Sequence, residues 1–408
     1  MNLWITLIIV VLSYVGVALG ELQPLRANRT TLALIGVGAL LIFRQITFEQ
    51  IGSFLNLDTL VLLLGMMVIN ANLQLAGFFR LAGSSILRWT NGPRSLLALE
   101  IMIVGVLSAL FLNDTICIML TPLILDITLA AKRNPIPYLI ALATASNIGS
   151  VATLTGNPQN MIIGMASHIP YLDFALALTP VALLGLGGIW IVLVLFYRDE
   201  FKDSDFEATQ LPKPRVFKPL LYKSLAVVAG LLVAFVVGVP IAEAAFIAGC
   251  ILLLTRRVKP SKVFLAVDTD LLLFFAALFV ISGALEASGI VAPIIDITRN
   301  WVDDGTWMLS AIAVGLSNLV SNVPAVLLLR PLVASLPNPE AGWLTLAAAS
   351  TLGGNLTLLG SVANLIVAES AARRGIKLTF WEYTRPGFVI TLVSLILGIG
   401  WIQLFIWK

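Results

Sequence analysis

Charge is scarce in this sequence: of 408 residues only 12% are Asp, Glu, Lys or Arg, while 59% are hydrophobic. Soluble globular domains carry about twice that charged fraction, so that class is excluded. The apolar residues run on for about 20 at a time instead of alternating over about ten, which excludes an outer-membrane barrel. The two cysteines, Cys117 and Cys250, lie in apolar runs and give neither a disulfide framework nor a zinc spacing, so both read as small buried hydrophobes. The single histidine, His168, reads as a solvated loop residue at the outer surface and not as a proton relay. No GxxxxGK[ST] loop is present, so the chain does not hydrolyse ATP in the P-loop manner, and an enzyme is the least expected class. No basic residue precedes the apolar run 3–20, so it reads as a retained span, although Ala18 and Gly20 offer small residues before Glu21 as a signal peptide would. What remains is an all-α polytopic membrane protein.

Within that class one stretch stands apart. Residues 146–164, SNIGSVATLTGNPQNMIIG, have flanks apolar enough to span a bilayer but carry Gly, Thr, Asn and Pro at their centre. Hydrocarbon tolerates such backbone only beside a protein-lined cavity. The pattern recurs at 350–368 as STLGGNLTLLGSVANLIVA, pairing Ser146 with Ser350, Gly149 with Gly353, Thr153 with Thr357, Gly156 with Gly360 and Asn160 with Asn364. A second block, 111–124 against 320–333, pairs Asn113 with Asn322 and Pro122 with Pro331 at nearly the same offset. Matching interruptions in two halves point to the binding site of a secondary transporter.

The apolar pattern predicts spans at 3–20, 30–43 and 58–79, then a polar turn holding Arg80, Arg88 and Arg94. A re-entrant hairpin over 95–131 follows, with Asn113, Asp114 and Thr115 at its tip, then a broken helix at 138–168 and a span at 172–197. After a hydrophilic connection the order repeats: spans at 224–238, 241–255 and 270–287, a hairpin over 307–337 with its tip at 321–324, a broken helix at 343–372 and a span at 381–406. The domains are therefore a first repeat at 1–198, a cytoplasmic linker at 199–223 and a second repeat at 224–408. Each repeat has five crossings, one re-entrant hairpin and one broken helix, and an odd count makes the two repeats inverted. With the N-terminus outside, all basic residues except Arg44, Arg299, Arg330 and Lys408 fall on the inner face, 21 of 25. That asymmetry is what the positive-inside rule demands, and it puts both termini outside a cytoplasmic membrane.

The chemistry is expected at the interruptions. Gly156 breaks the first helix, Asn157 suits an N-cap and Pro158 the first helical position, so a half-helix begins near mid-membrane with its unpaired N–H groups facing a cavity. Thr153, Thr155, Asn157 and Asn160 join it, with Asn147 one turn upstream; Asn355, Thr357, Gly360, Ser361 and Asn364 form the second copy. At the hairpin tips Asn113, Thr115, Ser321 and Asn322 offer amide and hydroxyl groups for a cation or a hydroxylated solute. Asp114 has Val323 as its symmetry partner, and a carboxylate there is the expected proton or sodium carrier. Glu100, Asp126, Glu243, Glu286 and Glu369 read instead as interfacial or paired acids. No Lys or Arg lies in a broken-helix core or at a hairpin tip, which favours a neutral hydroxylated solute or a cation over a di- or tricarboxylate.

These motifs, LNDT at 112–115, SNIGSVATLTGNPQN at 146–160, LSNLVSNVP at 316–324 and LGGNLTLLGSVAN at 352–364, carry a resemblance. The chain resembles the ion transporter superfamily, and within it the arsenite/antimonite permeases, the related sodium/proton antiporters and the plant silicon-efflux proteins. The divalent-anion symporters of that superfamily have paired Ser-Asn-Thr signatures at the hairpin tips; here both asparagines match and the full triplets do not. The resemblance implies a scaffold with a moving transport unit, a homodimer, and export of a metalloid oxyacid in exchange for protons. A sodium/proton antiporter and a sodium-coupled anion importer are the alternatives, while a channel would need no carboxylate at the tip. The expected partners are the small solute and the bilayer, not nucleic acid; no cofactor is expected beyond the coupling proton or sodium. The sequence leaves open whether a soluble ATPase subunit joins.

Overall fold

The computed structural model describes residues 2–19, 27–202, 215–255, 258–290, 293 and 305–407. Gly20, Glu21, Arg26, Lys213, Arg256, Arg257, Arg299, Lys408 and the middle of the linker lie outside the described residues. The described residues form nineteen helices and no β-strand. In chain order they are α1 Leu3–Leu19, α2 Arg29–Ile42, α3 Phe48–Phe54, α4 Leu57–Ala76, α5 Phe78–Arg88, α6 Pro93–Leu110, α7 Asn113–Ala130, α8 Pro135–Ser150, α9 Pro158–Ser167 and α10 Tyr171–Phe196. The second half holds α11 Lys218–Val237, α12 Ile241–Leu253, α13 Pro260–Phe264, α14 Thr269–Ala287, α15 Thr306–Val320, α16 Asn322–Ala334, α17 Pro339–Gly353, α18 Val362–Ala372 and α19 Phe380–Phe405. Seven of them are long and apolar enough to cross a membrane: α4, α6, α7, α10, α11, α14 and α19.

Three details differ from the sequence reading. The polar turn after α4 is a helix of its own, α5, set off by Gly77 at φ 84°. A side chain at Gly77 would be strained by that φ and would also meet the Arg215 carbonyl oxygen at 2.6 Å. The tip of the first hairpin is Phe111–Leu112, and Asn113, Asp114 and Thr115 form the first turn of its second arm. Each arm has 18 residues, about 27 Å of helix, longer than a short re-entrant arm needs. Finally, Cys117 is buried as expected, but Cys250 is exposed on α12.

The packing is reciprocal between the halves. α4 packs on α12 as α14 packs on α2; α6 and α7 pack on α8 as α15 and α16 pack on α17; α7 meets α18 as α16 meets α9. Small residues build the close crossings: a Cβ at Gly149 of α8 would overlap the Gly105 carbonyl oxygen on α6, and one at Gly65 of α4 would stand 2.6 Å from the backbone carbonyl of Ala245 on α12. In a bilayer, where apolar burial drives little, such close backbone contact is what holds helices together.

Contacts between helix ends sort into two sets. Thr30 Oγ1 donates to the Asp270 carbonyl (3.2 Å), Phe217 N–H to the Ala76 carbonyl (3.0 Å), Trp190 Nε1 to the Arg94 carbonyl (3.2 Å), and Arg374 pairs with Asp126. Elsewhere Gln45 Oε1 accepts from Asn2 N–H (2.6 Å), Gln403 Oε1 from Thr306 Oγ1 (2.7 Å), and Arg330 pairs with Glu286 at 3.2 Å. Each contact joins ends that the basic-residue asymmetry places on one face.

Replacing Gly65 by Ala should lower the detergent melting midpoint of the purified protein and its yield as a monodisperse species, because the α4–α12 backbones must separate. Gly187→Ala, with nothing within 4 Å of the added carbon, should leave both unchanged or slightly improved. Equal melting curves for the two variants would contradict the packing described.

Candidate functional site

Both broken helices form as their residues require. The first break is residues 151–157 between α8 and α9; Asn157 caps α9 by accepting from Asn160 N–H at 2.8 Å, and Pro158 takes the first position. Ser361 caps α18 by accepting from Ala363 N–H at 3.3 Å. Gly156 and Gly360 are needed where the chain folds back: a Cβ at Gly156 would stand 2.5 Å from the Ser150 carbonyl oxygen, and one at Gly360 2.8 Å from the Gly354 carbonyl oxygen.

The backbone freed by each break is satisfied by one asparagine. Asn160 Nδ2 donates to the carbonyls of Ser150 (3.1 Å) and Thr153 (2.9 Å); Asn364 Nδ2 donates to those of Gly354 (2.8 Å) and Thr357 (3.1 Å). Between the two breaks sits Asn147, fully buried. Its Oδ1 accepts from Asn113 Nδ2 and Ser361 Oγ, both at 3.1 Å, and its Nδ2 donates to Asn355 Oδ1 (2.8 Å) and Asn364 Oδ1 (3.1 Å). One amide thus ties the first hairpin and first broken helix to the second broken helix. From the other half, Thr351 Oγ1 receives Asn157 Nδ2 (3.4 Å) and Gln159 Nε2 (3.1 Å).

Beside this knot lies a cavity of about 190 Å³. Asn113, Asp114, Pro158, Gln159, Ser321, Asn322, Val323, Ser361 and Val362 line it together with Arg29, Thr30, Asp268, Asp270, Leu271, Phe274 and Phe275, and the exposed Asp268 and Asp270, with the half-buried Arg29, mark its mouth. Six helices begin at this cavity, α7, α9, α16 and α18 beside the knot and α2 and α14 at Arg29 and Asp268. Each N-terminus contributes about half a positive charge, which makes the place tolerable for a carboxylate. Asp114 in the first turn of α7 uses that field, and it forms no ion pair with any described residue. The Oδ1 atoms of Asn113 and Asn322 are buried and accept no hydrogen bond from any described residue. An unpaired buried carbonyl is costly, so a matched pair of them in one cavity wall is a donor-seeking site.

Of the residues singled out by sequence, the cavity brings together Asn113, Asp114, Ser321, Asn322 and Ser361. Asn147, Asn157, Asn160, Asn355, Gly360, Gly156 and Asn364 stand behind it as the scaffold of the breaks. Thr153 and Thr155 face away: Thr153 Oγ1 donates to the Ala109 carbonyl, and Thr155 Oγ1 lies 3.4 Å from the Tyr171 hydroxyl. Thr115 meets Asn70 Nδ2 at 3.4 Å, and Thr357 Oγ1 donates to Asn318 Oδ1 at 3.3 Å. The mouth residues were not legible. Arg29, Asp268 and Asp270 begin helices more than 200 residues apart in sequence and meet only in the fold. The competing acids Asp126 and Glu286 are paired with Arg374 and Arg330, and His168 is exposed at the end of α9.

Known proteins resemble this chain over most of its length. A profile described as "Citrate transporter" matches residues 8–353. The silicon efflux transporter LSI3 of Oryza sativa subsp. japonica is 32% identical, the match covering 91% of this chain and 92% of that protein. The putative transporter arsB of Dictyostelium discoideum is 25% identical over 92% of this chain and 87% of its own. Among solved structures, the YdaH transporter of Alcanivorax borkumensis superposes with a TM-score of 0.54 at 20% identity, covering 98% of this chain and 96% of that one, a likeness of fold.

Two asparagine variants should separate scaffold from cavity wall. Asn160→Ala leaves carbonyls of the first break unpaired at about 1–3 kcal/mol each and should lower the melting midpoint clearly. Asn322→Ala removes an amide whose oxygen has no partner, and should keep the melting midpoint while lowering transport at least tenfold; the opposite ranking in thermal melts would contradict these roles.

Proposed function

Because the chain belongs to the citrate transporter family of the ion transporter superfamily, and is a secondary transporter, we propose that it exports an uncharged metalloid oxyacid, of the arsenite/antimonite type, in exchange for protons. The observation that carries the reading is the pair of Asn113 and Asn322 oxygens, without a partner among the described residues, beside Asp114 in one cavity. Arsenite and silicic acid at neutral pH are uncharged and carry several O–H donors, which suit such acceptors.

Charge balance supports the same cargo. Of the charged side chains that line the cavity, Asp114, Asp268 and Asp270 are carboxylates and Arg29 alone is cationic, so the side chains offer no cationic surplus for a tricarboxylate. The family name does not decide the cargo, since a fold hosts many substrates and the site sets the choice. The relative named for silicon efflux, at 32% identity, favours the uncharged oxyacid.

Exchange follows from competition at Asp114. Ionised, its carboxylate accepts a hydrogen bond from a cargo O–H; protonated, it has lost an acceptor and the cargo leaves. Proton and cargo therefore alternate on one group: the return step carries the protonated, neutral carboxyl, avoiding a cost of about 3 kcal/mol or more, and the loaded step carries the carboxylate hydrogen-bonded to cargo in the field of the helix N-termini. In our reading the two halves are inverted repeats, Arg29, Asp268 and Asp270 mark the cytoplasmic mouth, both termini lie outside, and the protein works as a homodimer in the cytoplasmic membrane. An associated soluble ATPase is not required by this scheme.

Everted vesicles with an imposed pH gradient test it. Arsenite, antimonite or silicic acid should accumulate and dissipate the gradient, whereas sodium-driven citrate or succinate uptake would contradict the reading, and cargo-free sodium/proton exchange would favour an antiporter. Asp114→Asn should fold normally and lose gradient-driven accumulation at least tenfold while keeping downhill flux; unchanged pH dependence would remove Asp114 from the mechanism.

A further inference from the structure

The helices sort into two groups by what they pack on. Helices α1 to α4 and α11 to α14 pack chiefly on one another, and so do α5 to α10 with α15 to α19; contacts between the groups are sparse. The cavity lies in the seam. Asn113, Asp114, Asn322 and Ser361 belong to the second group, whereas Arg29, Asp268 and Asp270 belong to the first. Another gap in the same seam, of about 400 Å³, lies at the other face, where Asp58 and Glu243 stand in the first turns of α4 and α12 beside His168 and Tyr171. No Lys or Arg is among the described residues that line it.

Within the first group Arg29 is oddly placed. It is the first residue of α2, where the positive end of the helix opposes a cation. The polar groups around it are engaged with one another. Asp268 caps α14 by accepting from Leu271 N–H at 3.0 Å, and Asp270 accepts from Asn28 Nδ2 through Oδ2 at 3.4 Å and from Thr30 Oγ1 through its carbonyl at 3.2 Å. Arg29 itself lines the cavity half-buried and makes no hydrogen bond or ion pair with any described residue. At the other face α12, which packs on α4 as α2 packs on α14, begins with Ile241 in the same place.

One cavity therefore holds a guanidinium fork of N–H donors with no acceptor and two buried amide oxygens, those of Asn113 and Asn322, with no donor among the described residues. A hydroxylated solute supplies what both lack: its oxygens accept from Arg29, and its O–H groups donate to the two amides. We propose that Arg29 is a cargo-binding residue fixed to the first group of helices, so that it holds the cargo only while the cavity is open at its own, cytoplasmic face. As the second group slides along the first, Asn113, Asp114 and Asn322 travel with the cargo and Arg29 stays behind. At the other face the cargo meets Asp58 and Glu243, and no guanidinium takes the place of Arg29. The two faces then bind the same solute with unequal affinity.

The proposal rests on the transport and topology read above, but not on which oxygen-bearing solute is carried. Fluxes of arsenite, silicic acid and citrate are compared in everted and right-side-out vesicles holding the full-length protein. For the solute that the unaltered protein carries, Arg29→Gln should raise the half-saturating concentration at the cytoplasmic face about tenfold, the loss of one hydrogen bond to a charged group. At the outer face the half-saturating concentration should be unchanged or lower, and the melting midpoint should hold, because Arg29 has no partner among the described residues. Arg29→Lys keeps the charge without the planar fork and should recover part of the loss. A rise at the outer face, or at neither face, overturns the proposal. A one-sided rise measured with citrate would sustain it while contradicting the oxyacid reading; arsenite flux with no such rise would do the reverse. Sodium/proton exchange with no flux of any of the three solutes would overturn both.

Discussion

The fold depends on a constraint peculiar to membranes: backbone polar groups at bilayer depth have no water to turn to. Two breaks in helices near mid-membrane expose carbonyls, and the chain satisfies them with side-chain amides. Asn160 and Asn364 each hold the carbonyls of their own break, and Asn147 joins the breaks to each other and to the first hairpin. Because one amide bridges three elements, the cavity walls cannot shift independently. The N-termini of α7, α9 and α18 at the cavity are fixed in place by bonds of the same set.

That knot is asymmetric in a way that matters. Asn147 stands where the other half has Thr351, and Asp114 where it has Val323. The repeat supplies the frame, with paired breaks, paired caps and paired Asn113 and Asn322. The departures from the repeat are one amide that ties the halves together and one carboxylate, on which the proposed exchange rests. The charged side chains that line the cavity are three carboxylates, Asp114, Asp268 and Asp270, and one guanidinium, Arg29, a set that suits an uncharged solute better than a polyanion.

The breaks were legible because Gly156, Asn157 and Pro158 are a helix stop and start written in adjacent residues, and Ser361 after Gly360 repeats it. Asp114 was legible because a lone acid in an apolar arm is rare. α5 was not, since Arg80 and Arg88 disguised a helix as a turn, although Gly77 at the end of α4 marked the boundary. Charged residues at the mouth were hidden because their meeting is tertiary: α2 and α14 begin more than 200 residues apart. Glu100 of α6, fully buried with neither oxygen hydrogen-bonded by any described residue, was misjudged as an interfacial or paired acid for the same reason, since burial without a partner is a property of the packed helices and not of its own sequence.

At the centre of the account is a competition between one proton and one uncharged cargo molecule on Asp114. Calorimetric titration of silicic acid into the purified protein, repeated in buffers of different ionisation enthalpy, counts the protons exchanged on binding. The account predicts proton uptake by the protein to be zero or negative: a protein that starts with Asp114 protonated releases a proton as cargo binds, and Asp114→Asn abolishes the release. Binding accompanied by proton uptake, or by a release that survives in Asp114→Asn, would contradict it.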